Sequence, residues 1–446
     1  MKKFTAKRLP QHQGVAAWNA ILGAQASPSP FEGNTTADIV IIGGGFAGLS
    51  AARRLNQLGP EARIILLEAG RIAEGAAGRN SGFMIDLPHE LTSDDYAGGA
   101  NDAAAIGLNR QAIEFAQNAV SEYGIDQSYF DPAGKVNGAV SETAHGHNQS
   151  YAKHLEQLGE PSQMLDQKQM QDLTGSSYYR SGLYTSGTVM LQPAGYIRGM
   201  ASGLINDGIS VHENSPVLNF SKEGQDWRIE MPRGTISTSR IILANNGHLE
   251  SFGFERGRLM QVFLFASMTP LLDQEALDKL GGNPRWGITP SDPMGTTMRK
   301  IDIAQGGDRI ITRTCAMLLP GMVPTAGHVA RASRVQQVKF EKRFPQFSGM
   351  KMEFKWAGHL CLSLNNVSVM DEIETGVFSA CVQNGLGTTR GTLTGIGAAE
   401  LALGKSSNIT DHFAAERRPQ KLPPRPFREI GANAVLKWKE WRARNE

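Results

Sequence analysis

Three glycines and one carboxylate are the residues of this chain best placed to do chemistry. Gly43, Gly45 and Gly48 form a Gly-x-Gly-x-x-Gly turn that also holds Phe46 and Ala47, and Glu68 follows 20 residues after Gly48, with Ala69 behind it. Such a set suits a bound dinucleotide. Gly43 allows a tight turn out of a strand, Gly45 lets backbone approach a pyrophosphate, and Gly48 lets a helix pack closely on the sheet. The helix N-terminus offers free N–H groups and partial positive charge to the phosphates. Glu68 can accept hydrogen bonds from ribose hydroxyls and would repel a 2′-phosphate, which argues against NADP.

With 50 glycines in the chain, the motif alone carries little weight. Its setting carries more. The turn follows the apolar run Asp38-Ile39-Val40-Ile41-Ile42, precedes a stretch of helical spacing that stops at Gly59-Pro60, and is followed by a second apolar run, Arg63-Ile64-Ile65-Leu66-Leu67, that ends at Glu68. Strand, glycine turn, helix and strand with a terminal acid make a Rossmann-like α/β unit.

Two later segments repeat the theme. Arg240-Ile241-Ile242-Leu243-Ala244 reads as a buried strand running into Asn245-Asn246-Gly247, which suits either a second approach to a cofactor or an ordinary core turn. Gly376–Ala380 reads as a strand leading to Asn384-Gly385-Leu386-Gly387-Thr388-Thr389-Arg390-Gly391, with a small-residue helix from Thr392 to Leu403 beyond it. A helix N-terminus there would face N–H donors toward an anionic edge.

The elements that must position these turns are numerous. At 446 residues the chain is too long for one ordinary core, so two domains are expected. Helical spacing marks residues 101–123, 148–172, 195–207 and 328–343. Strand-like pieces such as Met260–Ser267 and Arg309–Thr312 predict an antiparallel sheet on the substrate side. Residues 1–37 read as a loose arm that Trp18 and Ile21-Leu22 would pin. The tail ends in a basic amphipathic helix near 434–442, which either packs on the body or meets a membrane or partner.

A net charge of +2 gives no electrostatic argument for nucleic acid. Cys315, Cys361 and Cys381 suggest neither a disulfide framework nor a metal site and fit a reducing compartment. No stretch approaches the ~20 apolar residues of a spanning helix, and the start lacks a signal-peptide run, so the reading is cytoplasmic.

The segments Ile41–Gly48 with Glu68, Gly78–Gly82, Arg240–Gly247 and Asn384–Gly404 together resemble the FAD-dependent amine and amino-acid oxidoreductases of the D-amino-acid oxidase and glycine oxidase family. Gly78-Arg79-Asn80-Ser81-Gly82 and Asn384-Gly385-Leu386-Gly387 look most like its gamma-glutamylputrescine oxidoreductase branch. The resemblance implies FAD rather than NAD. It also implies an FAD-binding part (38–90, 190–257 and 358–410), an α+β substrate part (91–189 and 258–357) whose antiparallel sheet covers the flavin, an arm (1–37) and a tail (411–446).

By the same resemblance, Gly43, Gly45 and Gly48 would hold the pyrophosphate, Glu68 the adenosine ribose, and Val217 the adenine. Arg79, Asn80, Ser81 and Gly82 would lie along the flavin, Ala244 would begin the second approach, and Gly385 to Thr389 would face the pyrimidine edge of the ring. Sarcosine oxidases are similar too. They attach flavin through a cysteine at a place comparable to Cys361, which is here a candidate covalent link or a buried core thiol. Their carboxylate-binding lysine falls at Thr389, which argues against a sarcosine-like substrate. Arg299 is a candidate carboxylate anchor or a structural arginine, and His359 a candidate substrate contact or a structural histidine.

The activity implied is removal of a hydride from a carbon bearing an amine, giving an imine that hydrolyses. The substrate would be a small amine or amino acid and the electron acceptor O2 or another carrier. Two other functions remain open: a flavin-dependent tRNA-modifying enzyme, which would need a basic face, and a non-catalytic flavin-binding subunit of an oxidoreductase complex.

Overall fold

A computed structural model describes residues 2–88, 93 and 102–446. Ile39, Val40, Ile41 and Ile64–Leu67 are buried on both faces, as continuous apolar runs in a parallel sheet require. The strand Gly33–Ile42 pairs in parallel with Ile64–Leu67 on one side and Gly234–Leu243 on the other, with Ile42 opposite both Leu67 and Leu243. Val377–Ser379 adds in parallel to the end of Gly234–Leu243, so four strand ends finish on one edge. The sheet has nine strands, ordered Lys3–Thr5, Asn219–Glu223, Asp226–Met231, Gly234–Leu243, Gly33–Ile42, Ile64–Leu67 and Ser210–His212 along its main path.

Two helices spring from that edge, Phe46–Leu58 and Thr389–Ala402. They meet almost backbone to backbone. A Cβ on Gly395 would overlap the Ala47 carbonyl, and a Cβ on Gly48 would overlap the Gly43 carbonyl oxygen. Small residues at these points are therefore a packing requirement.

The second sheet has eight strands in the order Phe354–Ser363, Leu259–Met268, Arg309–Leu318, Thr297–Ile301, Trp286–Pro290, Lys135–Ala139, Ser181–Thr185 and Gln163–Leu165. It is antiparallel as expected, save for one parallel pair, Ile288 with Val136. The helix Ala326–Arg343 packs on it through Phe340 and Ala332.

Several expectations need correction. The arm is not loose: Lys3–Thr5 forms an edge strand against Asn219–Ser221, and the first long strand begins at Gly33, not residue 38. Trp18 does pin the arm, donating to the Asn80 carbonyl at 2.8 Å while its own carbonyl accepts from Gln192 at 2.8 Å. The helical stretch 148–172 is two helices, Glu142–Gln157 and Gln167–Thr174, because Gly159 turns at φ +74° and Pro161 follows. The boundary drawn at 357/358 cuts through the strand Phe354–Ser363, which belongs wholly to the second sheet. The boundary drawn at 90/91 lies outside the described residues. The terminal helix is longer than its apolar pattern suggested, Phe427–Arg442.

Gly48→Ala should lower the unfolding free energy by about 3 kcal/mol, the range of an overpacked core. Gly70→Ala, where a Cβ meets nothing within 4 Å, should stay within about 0.5 kcal/mol of the parent. Urea titration of both variants checks this.

Candidate active site

One cavity of about 680 Å³ runs from the carboxyl edge of the parallel sheet to the face of the second sheet. Its first end is walled by Glu68, Ala69, Ser215 and Val217, its middle by Gly43–Ala47, Ala76, Ala77 and Ala244, and its far side by Gly385–Thr388. A Cβ on Gly45 would meet only Ala77 Cβ, at an ordinary contact distance of 3.6 Å, whereas one on Gly43 would come within 2.6 Å of the Ala244 carbonyl. Gly43 also turns at φ +117°. Space at Gly45 and tightness at Gly43 are what a turn that cradles a pyrophosphate needs.

Glu68 is half-buried. Its two oxygens accept from the N–H of Gly44 (2.8 Å) and Gly70 (3.0 Å), which fixes the side chain on the cavity wall. Burial pushes its pKa up, and those same backbone donors pull against the shift. Each carboxylate oxygen retains a lone pair for a ribose hydroxyl.

The return turn is held by asparagines. Asn384 Oδ1 accepts from Ser363 N at 2.8 Å, Asn384 Nδ2 donates to the Val367 carbonyl at 2.8 Å, and Asn246 Oδ1 accepts from Val382 N at 3.2 Å. Val382, Asn384 and Gly385 all have positive φ. A β-branched residue there is strained, so this network over-determines the turn that presents Gly385, Leu386, Gly387 and Thr388 to the cavity. Asn384 and Thr389 themselves do not line it. Thr389 starts the helix, fully buried, and Thr388 Oγ1 donates to the Phe83 carbonyl at 2.8 Å.

Arg79, Asn80 and Ser81 line the cavity. The Arg79 guanidinium, however, is occupied by backbone: it donates to the carbonyls of Glu74 (2.6 Å) and Gly14 (2.9 Å), and burial lowers its pKa to about 10. Asn80 closes the loop on itself, donating to the Ala77 carbonyl (2.6 Å) and accepting from Gly82 N (2.7 Å). Gly82 lies behind the wall, where a Cβ would overlap the Arg299 guanidinium.

That last contact overturns the anchor role considered for Arg299. Its side chain is fully buried, bonded to the carbonyls of Leu191, Gly82 (3.2 Å) and Ser81 (3.3 Å) and to Gln305 Oε1 (3.1 Å), with Trp18 stacked 5.0 Å from it. It braces the loop from behind and does not reach the cavity. Cys361 is likewise core. Leu360 and Leu362 on either side line the cavity, but the Cys361 thiol is fully buried with Leu259, Val377 and Cys381, and burial raises its pKa well above the ordinary thiol range. A covalent flavin link there has no support in this packing.

His359 does line the cavity. Its Nε2 lies 2.9 Å from Gln261 Oε1, and Gln261 Nε2 donates to Glu250 (3.0 Å) and to the Gly247 carbonyl (3.2 Å). The amide is thereby oriented so that His359 Nε2 carries the proton and Nδ1 stays an acceptor, an assignment made from the network. Burial, then His248 and His12, lower its pKa to about 3, so the ring is neutral.

Sequence reasoning missed three parts of the wall. Arg8, Pro10 and His12 of the arm, Arg313 on the second sheet, and Val435, Leu436 and Lys439 of the terminal helix all line the cavity. Arg313 sits in register with Thr297 on the neighbouring strand, also a wall residue. The signal for it was one arginine beyond the strand-like piece that ended at Thr312. The rest arrive from the two chain ends, which no local pattern connects.

A glycine-turn nucleotide cleft opening under a separate antiparallel sheet defines a two-part flavoprotein oxidoreductase. Residues 38–401 match the family model described as FAD dependent oxidoreductase (DAO), and the chain belongs to that family. It is 25% identical over 394 residues to a probable oxidoreductase OrdL of Rhizobium meliloti, covering 84% of this chain and 85% of the relative. It is 23% identical over 396 residues to the gamma-glutamylputrescine oxidoreductase of Escherichia coli, covering 88% of each. Among solved structures, glycine oxidase from Geobacillus kaustophilus superposes with a TM-score of 0.70 at 16% identity, over 86% of this chain and all (100%) of that one. The cofactor is FAD, and the space at Gly45, the seated Glu68 and the two helix N-termini fit it. No helix among the described residues is long and apolar enough to cross a membrane.

Arg299→Leu should remove the guanidinium donor from the buried carbonyls it braces and lower the unfolding free energy by about 3 kcal/mol. An anchor role would instead raise the KM of a stable protein, so denaturant titration beside steady-state kinetics separates the two. For His359, the folded ring stays neutral down to about 3 against an ordinary 6.5. Its contribution to stability is complete above 6.5 and is lost as pH falls toward 3. Between pH 6 and 4 the parent should lose on the order of 1 kcal/mol per pH unit more than His359→Gln.

Proposed function

We propose that this enzyme oxidises the C–N bond of a small amine or amino acid that also carries an anionic group. The observation behind this reading is the composition of the cavity's substrate end. Its wall is apolar, built from Val262, Leu264, Ala316, Leu318, Leu360 and Leu362, and it is interrupted by the cations Arg313 and Lys439. A cation in an apolar wall recognises an anion strongly, because little water screens the pair. The names of the relatives agree: a glycine oxidase, an L-amino acid deaminase and a gamma-glutamylputrescine oxidoreductase.

Bound FAD supplies the hydride acceptor. The substrate carbon gives up the hydride, its nitrogen gives up a proton, and water hydrolyses the resulting C=N bond to a carbonyl. This chain's residues orient and desolvate. Arg313 holds the anionic group, the aliphatic wall excludes water, and neutral His359 offers Nδ1 as acceptor to an amine N–H. The N–H groups around Gly387 and the Thr389–Ala402 helix terminus stabilise negative charge at the cofactor's edge.

Anaerobic mixing of the yellow protein with a panel of amines tests this. Bleaching by amines bearing a carboxylate, and little bleaching by the same amines lacking it, is the expected outcome. Arg313→Leu should raise the KM of the carboxylate-bearing substrate about 30-fold or more, the effect of removing one partner of a desolvated charge pair. The KM of a neutral amine should move far less. Bleaching by neutral amines alone, or by none of the panel, counts against the proposal.

A further inference from the structure

The terminal helix Phe427–Arg442 has two faces with separate roles. Its inner face packs on the body. Ala432 and Leu436 join the apolar cluster of Val262, Ala316 and Leu318, and Asn433 brackets Leu318, accepting from its N–H at 2.9 Å and donating to its carbonyl at 3.1 Å. The helix's acids belong to that side. Glu429 pairs with Arg425 at 2.9 Å and Glu440 with Arg331 at 2.7 Å.

The outer face is apolar and open. Phe427, Ile430, Ala434, Trp438 and Trp441 are exposed and follow one another at three- and four-residue steps, which places them on one stripe. Phe427 is 71% exposed and Trp441 61%, values far from those of large apolar side chains with a partner. Lys437 flanks the stripe on one side and Arg442 on the other, with the Arg442 guanidinium 5.6 Å from the Trp438 ring and Arg444 4.6 Å from the Trp441 ring. Residues 417–446 hold nine Lys and Arg against three Glu, in a chain whose net charge is +2. Several of these cations pair with glutamates or lie before the helix, and Lys439 faces the cavity, so the cations at the stripe itself are Lys437, Arg442 and Arg444.

We propose that this face docks the enzyme on an anionic lipid surface. Charge and shape together select that occupant. Aromatic side chains between cations match the boundary between headgroups and acyl chains, where indole rings settle and each nearby cation adds attraction. The stripe is a single convex row, and a fluid bilayer accepts a convex row without the matching groove that a protein partner must supply. Docking also has a geometric consequence. Val435, Leu436 and Lys439 of the same helix line the cavity, so the substrate end lies about one helix diameter, ~10 Å, from the lipid. The inference stands apart from the choice of substrate, and its test needs no turnover.

The test uses the full chain with its FAD, mixed with vesicles of phosphatidylcholine alone or with one third phosphatidylglycerol. Co-sedimentation with the anionic vesicles at low salt is expected, with a blue shift of tryptophan emission and release at high salt. Charge reversal by Lys437→Glu with Arg442→Glu should weaken binding by about tenfold or more. Trp438→Glu with Trp441→Glu should abolish it, with the flavin spectrum unchanged because neither tryptophan lines the cavity. Three results would overturn the proposal: no binding to anionic vesicles at low salt, undiminished binding by the tryptophan variant, or a dimer by light scattering that the tryptophan variant dissociates.

Discussion

Backbone lying against backbone, with no side chain between, is the constraint on which this enzyme rests. The Gly48 Cα sits over the Gly43 carbonyl, Gly43 lies under the Ala244 carbonyl, and Gly395 lies against the Ala47 carbonyl. These three approaches draw the Phe46–Leu58 and Thr389–Ala402 helices onto one edge of the parallel sheet. The result is a pair of helix N-termini facing one cleft, each presenting unsatisfied N–H groups and the positive end of a dipole. A side chain at any of these positions would separate the elements, and the cleft would lose its shape before it lost any particular contact.

Buried arginines carry a second layer of the design. Arg79 and Arg299 both face backbone carbonyls instead of carboxylates, and together they fix the Gly78–Gly82 loop from two sides. Trp18 joins them by stacking on Arg299 and bonding to Asn80. A guanidinium suits this task because its planar fork supplies several donors at once to carbonyls that would otherwise be buried unpaired. The loop is therefore braced from behind and presents its other side to the cavity.

Charge is distributed unevenly along the cleft. Glu68 is seated by two backbone donors at the nucleotide end. Three histidines near the middle, His12, His248 and His359, are held neutral chiefly by burial. At the substrate end the apolar wall carries the cations Arg313 and Lys439.

Local pattern determined the nucleotide half of this protein. Alternation, glycine spacing and a terminal acid marked the strand, turn, helix and strand that carry Gly43, Gly45, Gly48 and Glu68, and the Asn384–Thr388 turn was legible for the same reason: each is a run of consecutive residues. The substrate half was decided only by tertiary structure. Arg299 and Arg313 are both arginines on neighbouring strands, and sequence could not say that one would turn behind the Gly82 loop and the other into the cavity, because that choice depends on which strand packs over which loop. Cys361 fell to the core by the same kind of long-range packing. The wall supplied by Arg8–His12 and by Val435–Lys439 joins residues more than 400 positions apart. No period within a segment encodes a contact made by folding the two ends of the chain over its middle.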